Sequence, residues 1–188
     1  MNGTQTLVAL VEEAVALQGA ERIVERLRTG LCDLINSGEV ELPPRILQTN
    51  ADHYARRLLH SDEAHGYSIV AMTWAPGQGT SIHDHAGLWC VEGVFKGSIE
   101  VQQFELTAHE GERYRFEPRG SFQAGIGSAG CLIPPHEYHT IRNPSADALA
   151  VSLHVYKGEM RSCCVFQPIT GQRYRRATRE LGLDQARC

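Results

Sequence analysis

Two histidines two positions apart, His83 and His85 in Ser81-Ile82-His83-Asp84-His85, mark the first place where this chain could do chemistry. They follow a Gly-rich turn signal, Pro76-Gly77-Gln78-Gly79. On a strand, successive side chains point to opposite faces. His83 and His85 therefore share a face, and Asp84 takes the other. Two imidazoles side by side can hold one transition metal. An isolated pair fits a solvated strand face equally well, so a third ligand has to decide. His139, in Pro134-Pro135-His136-Glu137-Tyr138-His139, stands at the start of a later strand and can supply it. Three histidines fit zinc, nickel or copper as well as iron.

A second group lies in Ala150-Val151-Ser152-Leu153-His154-Val155-Tyr156. Ser152, His154 and Tyr156 alternate, so they share one strand face. A hydroxyl, an imidazole and a phenol in line can form a hydrogen-bonded relay that aims the phenol at whatever binds the metal. The alternative is a polar outward face. Arg56, in Tyr54-Ala55-Arg56, offers a planar fork suited to a carboxylate. A lone arginine in a surface ion pair would look the same. His53, His60, His65 and His109 read as solvated, and His136 as a turn residue near His139. Cys131, Cys163 and Cys164 read as small packed hydrophobes. Trp74 and Trp89 read as core aromatics, Trp89 flanking the site.

The elements that must carry these residues come in two textures. Apolar residues recur at near-helical spacing over 5–19 and 21–37, and Gly38 is a stop signal. Leu42-Pro43-Pro44 breaks the chain. Residues 52–59 read as a last short helix or as the lead into the first strand. From about residue 66, short alternating runs are separated by Gly, Pro, Asn and Ser. Strands are expected near 66–74, 80–85, 88–96, 98–106, 112–117, 121–127, 130–133, 138–142, 148–156, 162–167 and 171–175. So many short strands with regular turns predict a β-sandwich or barrel. No linker splits the chain. The expectation is one domain over 1–188: a helical part to about residue 60, a barrel over about 61–176 and a tail over 177–188.

Bulk properties narrow the class. The chain has 188 residues, 42% hydrophobic and 21% charged, enough for one domain with a good core. A net charge of −4 gives no reason to expect nucleic acid or an anionic membrane as partner. Arg173-Tyr174-Arg175-Arg176 reads as a solvated tail. The six cysteines form no CxxC pair and no regular framework. The N-terminal apolar run is cut by Glu12-Glu13, unlike a signal peptide. No stretch approaches the ~20 apolar residues of a membrane span. A reducing cytoplasm is the expected location. The oligomeric state stays open between a monomer and a small homo-oligomer.

Gly77, His83, His85 and Gly97 stand at the spacing of the first motif of the cupin superfamily, and Pro134, His139 and Asn143 fit its second. Two positions depart from it: His136 stands where Gly is usual, and Ser128 where the second motif opens on Gly. Cys90 stands where that first motif usually has a glutamate ligand. Glu92 lies close enough in sequence to be a ligand in principle, but two residues off that position it reads as solvated or as supporting the ligands. Three neutral imidazoles without the carboxylate leave a metal its full charge and several open positions. That suits a substrate binding as an anion, such as a thiolate, since a metal deprotonates a thiol of ordinary pKa ~8.5.

Cys90 at that position, with Tyr54-Ala55-Arg56 and the Ser152-Leu153-His154-Val155-Tyr156 strand, resembles the cysteine dioxygenases within the small thiol dioxygenases. The resemblance runs from Tyr54 to Tyr156. It implies a cupin (jelly-roll) β-sandwich or barrel behind N-terminal α-helices, with Fe(II) on His83, His85 and His139. It implies Arg56, with Tyr54, on the substrate carboxylate. Ser152, His154 and Tyr156 would be catalytic, with Cys90 joined to Tyr156 by a thioether. The implied reaction takes a small thiol, L-cysteine first, to its sulfinic acid with O2.

Relatives acting on 3-mercaptopropionate usually have Gln and Gly where this chain has Arg56 and Cys90, which favours cysteine. Lys157-Gly158-Glu159-Met160 replaces a Ser-Pro-Pro turn of the animal type, and Ala86-Gly87-Leu88-Trp89 also differs from it. Mercaptosuccinate therefore stays a candidate, with Arg142 or Arg161 for a second carboxylate. From another class, a non-catalytic metal-binding cupin or a cupin isomerase would share the histidines.

Overall fold

The computed structural model describes residues 3–185. Two helices come first, α1 (Gly3–Val15) and α2 (Ala20–Ser37). Helix α2 ends on Gly38 at φ 75°, whose N–H donates to the Ile35 carbonyl while that of Glu39 reaches Leu34. A left-handed residue here satisfies the last carbonyls of the helix and suits glycine. A single 3-10 turn, Pro44–Leu47, leads to the strands.

The strands are β1 (Ala55–Asp62), β2 (Tyr67–Trp74), β3 (Ile82–His83), β4 (Cys90–Lys96), β5 (Ser98–Glu110), β6 (Arg113–Gly125), β7 (Ala129–Leu132), β8 (His139–Arg142), β9 (Ala150–Tyr156), β10 (Ser162–Ile169) and β11 (Arg173–Glu180). One sheet runs β1-β2-β9-β4-β7, and the remaining strands close on one another in the order β10-β11-β6-β5-β8-β3. All pairings between these strands are antiparallel. This is the cupin jelly-roll architecture, with the helices packed on the outside of the first sheet.

Strands β2 and β9 are buried along their whole length, because each is covered on both faces. Tyr67, Ile69 and Ala71 of β2 and Val151, Leu153 and Val155 of β9 join Leu7, Leu27 and Leu31 of the helices in one core. Burying each large aliphatic side chain contributes about 1.5–3 kcal/mol. Gly93 lets α2 approach, since a Cβ there would lie 2.6 Å from a Leu31 methyl. The alternate residues of the same strands face the barrel interior, and there the polar ones gather.

The boundaries differ most from expectation in three places. Residues 55–62 are strand, so the barrel begins at Ala55 and the helical part ends well before residue 60. Pairing of Ala55, Arg56 and Arg57 with Thr73, Met72 and Ala71 overrides a locally helix-compatible pattern. The runs expected at 112–117 and 121–127 are one strand, β6. It passes Pro118 at a register shift opposite Gln103 and Phe104, and a bulge tolerates a residue without an N–H. Strand β11 runs to Glu180 along β10, so Arg173–Arg176 and the start of the expected tail belong to the sheet. Residues 186–188, with Cys188, lie outside the described residues. No described helix is long and apolar enough to cross a membrane.

Candidate metal centre

Strand pairing brings the three expected histidines together. His83 on β3 and His139 on β8 are direct cross-strand partners, and His85 follows β3 by two residues. Ring centroids lie 4.5 Å apart for His83–His139, 5.0 Å for His85–His139 and 5.2 Å for His83–His85. One nitrogen of each ring lies within 4.8 Å of the other two. Asp84 points away, as alternation requires. Its carboxylate accepts from the Cys164 N–H at 2.8 Å and ties this stretch to β10.

The ring nitrogens fit a metal ion. His139 is fully buried, yet neither of its ring nitrogens has a hydrogen-bond partner. Leaving a buried polar group unpaired costs about 1–3 kcal/mol, and a metal would take up the free lone pair. His83 Nδ1 faces the Ser81 carbonyl at 3.1 Å, which leaves Nε2 for the ion. His85 Nδ1 is 3.5 Å from Glu137 without a formed hydrogen bond; that carboxylate instead accepts from the His85 backbone N–H at 2.7 Å. Burial, with His85 next to it, pushes the His83 pKa down to about 4. Burial also pushes His139 well below the ordinary value. Both rings are thus neutral at physiological pH, the state a metal needs.

Strands β4 and β9 supply the other polar groups. Their register sets Cys90 opposite Tyr156, Glu92 opposite His154 and Val94 opposite Ser152. Ser152 Oγ lies 2.7 Å from His154 Nε2, and Trp74 Nε1 donates to the same oxygen at 2.9 Å. An indole N–H only donates, so Ser152 can pass its own proton to His154 Nε2. The other ring nitrogen, Nδ1, lies 3.2 Å from Glu92 Oε1 and 3.3 Å from the Tyr156 hydroxyl. An ionised carboxylate only accepts, so His154 Nδ1 carries the proton. The relay read from the sequence is present, but it ends on two groups, Tyr156 and Glu92.

Of the two readings the sequence allowed for Glu92, the structure agrees with the supporting one, its carboxylate lying 3.2 Å from His154 Nδ1. It is not solvated: its side chain is 14% exposed and turned into the barrel. Burial would raise its pKa, but His139, His154 and His85 together hold the carboxyl below the usual range. Burial raises the Cys90 thiol and the Tyr156 phenol well above their ordinary values, and Glu92 adds to both. Both therefore stay protonated. Trp74, read as a core aromatic, is also part of the relay. Trp89 packs in the helix-side core, on the other face of the sheet.

Arg56 pairs with Met72 and so faces the interior. Its guanidinium donates to the Gly182 and Met160 carbonyls at 3.1 and 3.4 Å, and its Nε has no partner. Its backbone N–H donates to Asp184, which also meets Asn50 and His53. Residues 181–184, expected as a tail, are therefore clasped to β1. Tyr54 stacks on Trp74 with centroids 4.4 Å apart. Tyr54, Arg56, Tyr156, Cys163 and Leu181 line a cavity of about 20 Å³ beside His83 and Glu92. On the other side of Glu92 and His154 lies a cavity of about 220 Å³, walled by Val94, Ile99, Val101 and Leu132. Arg142 is exposed, and Arg161 is an exposed ion-pair partner of Glu159; neither lines these cavities.

The chain matches the family model described as cysteine dioxygenase type I over residues 36–168. It is 29% identical to the zebrafish (Danio rerio) protein named cysteine dioxygenase type 1 over 119 residues, 63% of this chain and 58% of that one. It is 26% identical to the human (Homo sapiens) protein of the same name, over 64% of this chain and 58% of that one. The chain thus spans less than two thirds of the length of these relatives. Among solved structures it is similar to an RmlC-like cupin protein from Desulfovibrio desulfuricans, with a TM-score of 0.43 and 17% identity, covering 60% of this chain and 90% of that one. The family match takes in more than half of the residues, the three histidines, Cys90 and Tyr156 among them: the chain belongs to the cysteine dioxygenase type I family.

Proposed function

We propose that the protein is a non-haem Fe(II) dioxygenase that oxidises a small carboxylate-bearing thiol, L-cysteine first, to its sulfinic acid. Both atoms of O2 are added to sulfur, RSH + O2 giving RSO2H. The observation that carries this reading is the buried trio of His83, His85 and His139, with His139 left without hydrogen-bond partners, in a chain of this family. Iron, when bound, would acidify the thiol and supply the redox centre where thiol and O2 meet.

The chain's own residues do the rest. Arg56 and Tyr54 stand at the polar end of the small cavity, where a carboxylate would be held. A charge-assisted fork there fixes the distance of the thiol from the histidines. Tyr156, protonated through burial, donates a hydrogen bond toward the reacting group. Trp74, Ser152 and His154 orient that phenol. Cys90, directly across from Tyr156, is the proposed partner in a thioether that would lock the ring. The same chemistry admits 3-mercaptopropionate or mercaptosuccinate as substrate. O2 consumption by the iron-loaded protein, measured against cysteine, 3-mercaptopropionate, mercaptosuccinate and cysteamine, tests the proposal. Uptake is expected with a carboxylate-bearing thiol and not with cysteamine. No uptake with any of the four overturns the reading.

A further inference from the structure

The larger of the two cavities beside the histidines has no task in the reaction as proposed. It opens between β5, β6 and β7 at Gln103, Phe122, Gln123 and Gly130, all exposed, and its floor is formed by His139, His154 and Glu92. Between mouth and floor the wall is aliphatic. Val94, Ile99, Leu132 and Ile141 are buried there, and Val101 is partly so. Strand alternation builds this wall. Val94 follows Glu92 by two residues on β4, and Ile99, Val101 and Gln103 alternate on β5, so each set shares the interior face. No lysine or arginine lines the cavity. Glu92, Ile141 and His154 line both this cavity and the small one at Arg56. The centre is thus approached from two sides that differ in character: one carries a guanidinium, the other is aliphatic and without a cation.

We propose that this cavity takes up molecular oxygen and leads it to the histidines, apart from the path of the thiol. The inference rests on the proposed thiol oxidation, which consumes O2. A carboxylate-bearing thiol finds its counter-charge at Arg56 and none here, and an ion crossing the aliphatic stretch would shed its water without gaining a partner. Oxygen is the opposite kind of reactant. It is small, uncharged and apolar, and it gains by leaving water for aliphatic surroundings. An aliphatic cavity of about 150 Å³ stays dry and binds xenon, a guest of similar character; this one holds about 220 Å³. The Arg56 cavity, at about 20 Å³, leaves no room for a second reactant beside a thiol. Delivery from the other side of Ile141 and His154 brings O2 to the centre without competing for that space, so both reactants can be held there together.

The first measurement needs neither thiol nor metal. Dissolved O2 is paramagnetic and speeds the NMR relaxation of the methyl groups it visits. In the metal-free protein under O2 rather than N2, the methyls of Val94, Ile99 and Leu132 should gain more relaxation than those of Leu10 and Ile35, which are as little exposed but lie in the helix-side core. No excess at the cavity methyls overturns the proposal. The second measurement narrows the cavity. Val101→Phe should reduce that excess and lower kcat/KM for O2 about ten-fold in the iron-loaded protein. Metal content, and kcat/KM for the thiol at saturating O2, should stay at the wild-type level. Thermal melts establish that the variant is folded, and Ile99→Phe serves as a second obstruction should it not be. A folded, obstructed variant with wild-type kcat/KM for O2 overturns the route. If the cavity methyls show the excess but the wild type consumes no O2 with any thiol, the oxygen site stands and the dioxygenase reading falls.

Discussion

The two ends of the interior are built differently. At the metal end, His83, His139, Glu92 and His154 sit on paired strands in fixed register, with His85 just beyond β3. One ring nitrogen each of His83, His85 and His139 converges on a common point. At the end proposed for substrate, Arg56 lies on the edge strand β1, and its fork is already engaged by the carbonyls of Met160 and Gly182. The cavity there holds about 20 Å³, room for a water molecule rather than for an amino acid. The histidine end is therefore preorganised, whereas a carboxylate brought to Arg56 would have to exchange places with the carbonyls of Met160 and Gly182. A site of this kind should bind metal tightly without substrate and show its specificity mainly in KM.

The most severe break is at the metal end. His139→Ala should abolish stoichiometric metal binding and reduce thiol-dependent O2 uptake to background, measured by metal analysis and an oxygen electrode. Uptake that survives this change would move the centre away from the three histidines. Next comes the substrate end. Removing a charge-assisted hydrogen bond costs about 1.5–3 kcal/mol, so Arg56→Ala should lower kcat/KM for a carboxylate-bearing thiol about ten- to a hundred-fold. Most of the change should fall in KM, with metal content unchanged. A drop confined to kcat would take Arg56 off the carboxylate.

The smallest effect is read from stability against pH in the metal-free protein. His83 titrates at about 4 when folded and near 6.5 when unfolded. Below pH ~6.5 the unfolded chain takes up the proton first, so stability at the metal end is lost as pH falls from there toward 4. Asp184, in the clasp, is also depressed. Burial opposes this, but the Arg56 N–H, Asn50 and His53 outweigh it. The clasp keeps its contribution down to the ordinary carboxylate range and loses it only as pH falls further. Denaturant midpoints measured from pH 7 to 3 should decline first in the window of the histidine, and saturating metal should flatten that part of the curve. A flat metal-free curve above pH 4 would contradict the buried neutral imidazoles.

Much of the site is legible because strands impose a period of two on whatever sequence they contain. His83 and His85 had to share a side, as did Ser152, His154 and Tyr156, and in both cases that side is the interior. The helical pattern of 21–37 was equally strong and became α2. Glu92 obeys the same period with respect to Cys90, so its face was readable in principle. Its contact with His154 was not, because only the register of β4 on β9 sets the two opposite one another. Trp74 was hidden for another reason: an aromatic on a buried strand reads as packing, and only its neighbour across the β2–β9 pair, with Ser152 one pleat away, gives its N–H a task.

What the sequence by itself determined is the set of groups and the strand faces they occupy, because backbone alternation is local. What the tertiary structure decided is who meets whom across strands and at edges. The register of β4 on β9 sets Glu92 against His154. The pairing of β1 on β2 turns Arg56 inward. The run of residues 181–184 back to β1 closes the polar end. Each of these depends on contacts between segments distant in the chain, which no local spacing encodes.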